Sequence, residues 1–179
     1  MCHLFTRVMP TLKEELLKVR ASTGMSPEDF DAASIHTWDD VMRRIEAKFL
    51  VRTFSGVAHN SWWERLKQPQ QRLYFAKVGA REHLPYLINM HDRVWYIAQE
   101  PFDYEQFYEK PNKNWLFEGT AEAVTGIISQ YEVREYYLVS KKYDWFIGRK
   151  HHDELIGLGS VTARMQTLAN QLYDVREVR

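Results

Sequence analysis

Three short apolar runs at residues 136–139, 145–147 and 155–158 follow one another with very little chain between them. A parallel crossover needs roughly a dozen residues or more, so neighbouring runs of this kind pair antiparallel as a meander. This C-terminal meander constrains the fold more than any other stretch. It predicts a mostly antiparallel sheet around which the rest of the chain must pack.

The remaining elements are read from caps and periodicity. Thr11-Leu12-Lys13-Glu14 is a capping-box pattern leading into Leu16 and Val19, with Thr23-Gly24 as a stop. Ser26-Pro27-Glu28-Asp29 offers a cap, a first-position proline and acids in the first turn, and Thr37-Trp38-Asp39-Asp40 repeats that logic before Val41, Ile45 and Phe49. Three short helices are therefore expected before residue 50. Residues 50–60 read as an extended or looped connection, and Asn60 or Ser61 is placed to cap a short helix carrying Trp62, Trp63 and Leu66.

Past the break at Gln68-Pro69-Gln70, the run 73–78 ending at Gly79 is a predicted strand. Val94-Trp95-Tyr96-Ile97-Ala98 is apolar on both faces and should lie inside a sheet. Residues 101–111 read as an exposed connection, and Trp115-Leu116-Phe117 as a further extended piece stopped at Gly119. Thr120 opens a helix with Val124, Ile127, Ile128 and Tyr131 on one stripe, and Ser160 caps a last helix with Val161, Met165, Leu168 and Leu172 inward. The expectation is one α+β domain over residues 1–179: N-terminal helices, a mostly antiparallel sheet with a C-terminal three-stranded meander, and a C-terminal helix.

Composition narrows the function classes. Hydrophobic residues make up 45% of the 179 positions, enough for a core without staples, and the aromatic share of 14% favours packing or binding. Lys and Arg number 24 against 24 Asp and Glu, so no long-range field gathers phosphate backbones or an anionic membrane surface. The single Cys2 builds neither a disulfide framework nor a thiolate cluster, which reads as a reducing compartment. No apolar run has the ~20 residues of a membrane span. A cytoplasmic protein with a protein partner is the expectation, with no membrane role and its oligomeric state left open.

The chemistry-bearing residues gather in the connection Arg149-Lys150-His151-His152-Asp153-Glu154. Loops held by rigid strands often present functional groups, and imidazoles with a nearby carboxylate suit a transition metal or a proton relay. Adjacent residues on an extended chain face opposite ways, so His151 and His152 meet one metal only if the loop turns between them. The competing reading is a polar connection with one histidine packed and the other in water. His91-Asp92 supplies a second such pair if its strand lies beside the meander, against a simple turn built from Asn89-Met90-His91-Asp92. Trp145 completes the set of candidate binding residues.

A second alternative pairs Tyr136, Tyr137, Tyr143 and Trp145 with Arg134, Lys141, Lys142, Arg149 and Lys150 as a stacking and phosphate-contacting surface for single-stranded nucleic acid. The acids Glu132, Glu135, Asp144, Asp153 and Glu154 offset it. Ser140 and Ser160 lack a nucleophile-elbow setting, and Gly157-Leu158-Gly159 lacks the lysine of a phosphate loop. These absences point away from an enzyme. A non-enzymatic interaction domain, of immunity or regulatory type, is the leading reading. A small metal-binding protein or hydrolase at His151, His152 and Asp153 is the rival, and a divalent metal there is the one cofactor considered.

Glu135-Tyr136-Tyr137-Leu138-Val139-Ser140-Lys141-Lys142-Tyr143-Asp144-Trp145, followed by His151-His152-Asp153 and Leu155-Ile156-Gly157-Leu158-Gly159, resembles a family of small bacterial proteins of unknown function. The resemblance lies mainly in the C-terminal half, with residues 94–99 and 115–119 as weaker matches. It implies a bacterial, cytoplasmic, single-domain protein and carries over no catalytic residue.

Overall fold

The computed structural model describes residues 10–51, 62–76, 79–99, 114–150, 152–172 and 175–177. They form one eight-stranded sheet with helices on both faces. In chain order the strands are β1 (Phe30–Ala32), β2 (Gln70–Phe75), β3 (Arg93–Gln99), β4 (Asn114–Thr120), β5 (Tyr136–Ser140), β6 (Trp145–Lys150), β7 (Glu154–Gly159) and β8 (Val175–Glu177). Their spatial order is β1-β4-β3-β5-β6-β7-β2-β8, and every neighbouring pair is antiparallel. The β5-β6-β7 meander has the antiparallel neighbours that its short connections require, and it sits at the centre because β3 pairs with β5 and β2 with β7.

The helices are α1 (Leu12–Ser22), α2 (Ile35–Phe49), the single turn α3 (Leu84–Leu87), α4 (Ala121–Gln130) and α5 (Val161–Gln171). Helix α1 begins with the expected capping box: the Thr11 side chain accepts from the Glu14 N–H, and the Glu14 carboxylate accepts from the Thr11 N–H at 2.7 Å. Helix α4 starts where Thr120 accepts from the Ala123 N–H, and α5 starts at Ser160 without a side-chain cap bond.

One face of the sheet packs Tyr96, Phe117, Tyr136, Leu138 and Ile147 against Leu16, Val124, Ile127 and Met165 of α1, α4 and α5. The other packs Ile97, Tyr137, Val139, Phe146 and Ile156 against Val41, Ile45 and Phe49 of α2 and against Trp62. Strands covered on both faces have no need of polar alternation, which explains why β3 and β5 read as continuous apolar runs. At Gly157 the fit of helix to sheet is close, because an added Cβ would overlap the Met165 sulfur and press on Val161.

Several local expectations are corrected. Ser26-Pro27-Glu28-Asp29 forms a turn: the Ser26 hydroxyl bonds the Asp29 carboxylate at 2.7 Å, the Asp29 N–H donates to the Ser26 carbonyl, and the chain leaves at once into β1. Burial of Phe30 against Tyr96 and Phe117 outweighs the helix-start signals, leaving two helices among the described residues before residue 50. Helix α2 is capped by Ser34, whose hydroxyl accepts from the His36 N–H, so it begins before the expected Thr37. Trp62–Glu64 is a 3-10 turn, while Asn60, Ser61 and residues 101–111 lie outside the described residues. Strand β2 starts at Gln70, and β8 was not anticipated.

Candidate functional site

The β6-β7 turn is organised by Arg149. Its position on β6, opposite Tyr136 of β5, turns its side chain into the first core face, where burial demands partners. One terminal nitrogen donates to the Val133 carbonyl at 2.7 Å and the Arg134 carbonyl at 3.4 Å, and the other to the Asp153 carboxylate at 2.8 Å. The guanidinium thus joins the α4-β5 connection to the turn. Asp153 holds a left-handed backbone (φ 55), a conformation its short polar side chain tolerates, and its carbonyl accepts from the Phe75 N–H of β2.

This geometry gives Asp153 a structural partner, so a metal placed here would compete with a guanidinium for the carboxylate. His152 is exposed and takes part in an interaction of its own, and His151 lies outside the described residues. Among the described residues no group of three or more His, Cys, Asp or Glu side chains is placed to hold a metal ion.

His91 and Asp92 lie at the opposite end of the sheet. Val94 pairs with Ser140 at the start of β3, whereas the β6-β7 turn follows the Lys150 to Glu154 pair at the far end of β6. Six residues of β6 separate them, roughly 20 Å at the ~3.3 Å rise of a strand. No single cluster therefore gathers His91 and Asp92 with His152 and Asp153. His91 and Asp92 occupy the turn read as the competing interpretation, in which the Asp92 N–H donates to the Asn89 carbonyl and the His91 N–H to the Asn89 side chain.

The structure brings Asp92 and Trp145 together in another place. Along with Leu87, Asp144, Ser160 and Arg164 they line a concavity of about 130 Å³ at the start of α5. Arg164 donates to the Leu87 carbonyl at 3.1 Å and the Ser160 N–H to the Asp144 carbonyl, so two of its polar groups serve the fold.

Three of the four rings proposed to stack nucleobases are packed inside, and the fourth, Tyr143, is partly buried against the α2 side of the sheet. Tyr136, Tyr137 and Trp145 are buried, with Tyr137 stacked on Trp62 at 5.1 Å between centroids. Burial pushes the Tyr136 and Tyr137 hydroxyls well above their usual ionisation range. Lys141 lies over the Trp95 ring and pairs with Glu118, tying the β5-β6 turn to the β3-β4 pair; desolvation lowers its pKa against the opposing pull of Glu118.

Tyr86 went unnoticed in the sequence. It sits on α3 between Leu84 and Leu87, which are 0% and 1% exposed, while Tyr86 itself is 70% exposed. The His83 ring stacks on Phe75 at 4.5 Å and lies 6.3 Å from the Tyr86 ring, making a row of rings from the core to the surface. The two leucines three residues apart, with tyrosine off their stripe, were the available signal.

Fold and surface together define a class: an α+β domain built on one antiparallel sheet covered on both faces, with its polar clusters holding turns in place. Residues 8–169 match a family of unknown function, DUF6756, and the chain belongs to that family. The match reaches beyond the C-terminal half in which the resemblance was strongest. No curated protein and no solved structure matches the chain.

Proposed function

We propose that this protein is a non-enzymatic interaction domain that docks a protein partner through Tyr86. The observation that carries the reading is the ring's mounting: 70% exposed, on a turn anchored by two buried leucines. A rigid aromatic contributes large contact area at small entropic cost, which is why tyrosine is common among interface hot spots. The neighbouring Arg81 and Glu82 neutralise each other at 3.1 Å, so the patch suits an uncharged pocket with an acceptor for the phenol.

The test places a photo-crosslinking amino acid at position 86 in the native host cell and identifies the adducts by mass spectrometry. One recurrent protein, absent when the crosslinker stands at exposed Glu122 on α4, supports the reading. Adducts indistinguishable between the two positions would overturn it.

A further inference from the structure

Tyr96, Tyr136 and Arg149 form a buried polar cluster that the interaction surface does not use. The two tyrosines are fully buried and Arg149 is 8% exposed, yet Tyr96 Oη, Tyr136 Oη and Arg149 Nε have no hydrogen-bond partner among the described residues. They are neighbours: Tyr136 pairs across strands with Arg149, its ring lies 5.8 Å from that of Tyr96, and the guanidinium carbon is 5.9 Å from the Tyr136 ring. Buried polar groups left without partners cost about 1–3 kcal/mol each, and interiors satisfy them with ordered water.

We propose that the three atoms share one enclosed structural water. Neutrality favours this occupant over an ion, because Arg149 is balanced by Asp153 at 2.8 Å and nearby Arg81 by Glu82 at 3.1 Å. Water matches the donor set: it accepts from the Arg149 N–H and one phenol and donates to the other. Burial raises the pKa of both phenols and keeps them neutral.

Tyr96→Phe, Tyr136→Phe and the double variant test the site in the full chain by urea unfolding. Each single variant raises the unfolding equilibrium constant roughly five- to tenfold, and the double variant by less than the product, because both hydroxyls serve one molecule. A high-resolution crystal structure shows the water within ~3.2 Å of all three atoms. Single variants as stable as the parent, independent multiplying effects, or crystal density lacking that water would each overturn the proposal.

Discussion

Arg149 holds two turns at once, so its loss reaches further than one ion pair. Arg149→Met keeps much of the side-chain volume but strands the Val133 carbonyl, and should cost about 2–3 kcal/mol in urea unfolding. Asp153 is 40% exposed, so Asp153→Asn, which keeps a hydrogen-bonding oxygen, should cost less than ~1 kcal/mol. Equal losses from the two would contradict the carbonyl staple. The buried phenols of Tyr96, Tyr136 and Tyr137 give a pH signature. Each has a folded pKa raised above the ordinary 10.0, chiefly by desolvation. Below pH 10 all three are neutral in both states; as pH rises above it the unfolded chain releases protons that the folded chain keeps, so stability falls. Absorbance titration should show these phenols ionising only together with unfolding. Reversible titration of every tyrosine near pH 10 with the fold intact would refute their burial.

Edge strand β1 shows how an element is protected. Its inner groups pair with β4, while the outward Phe30 N–H donates to the Ser26 carbonyl, Arg20 donates to the Phe30 carbonyl and the Ala32 N–H donates to the Asp31 carboxylate. These local partners leave little for an incoming strand. Asp31→Thr frees the Ala32 N–H and should produce concentration-dependent association in sedimentation velocity; a profile unchanged from the parent would show that the edge is blocked by other means. At Gly159, φ is +74 and an added Cβ would overlap the Asp144 carbonyl, so Gly159→Ala should cost at least about 2 kcal/mol in thermal unfolding. A loss below half that amount would mean that the β5-β6 turn yields. The same local chemistry explains which elements were legible. The capping box of α1, the Thr120 start of α4 and the meander each rest on neighbours in sequence. The Ser26-Pro27 signal failed because burial of Phe30 against strands far along the chain decided the outcome.

Across the whole molecule, what the sequence concealed was long-range placement. Strand β2 lies beside β7 through pairs such as Leu73 with Leu155, and no local pattern announces that choice. Likewise Asp153 and Asp92 looked like members of one cluster by residue type, whereas the sheet puts them at opposite ends and gives Asp153 to Arg149. Tyr86 was missed for the converse reason: a tyrosine is unremarkable until the burial of Leu84 and Leu87 shows which way it points. Both faces of the sheet are taken up by packing, so the docking role proposed for this protein rests on a surface ring of this kind. The decisive measurement is the affinity, by calorimetry, of the partner captured at position 86 for the parent chain and for Tyr86→Ala. A hot-spot role predicts at least about a 30-fold loss, ~2 kcal/mol, with the unfolding midpoint of the free protein unchanged. Equal affinity for the two proteins would contradict it.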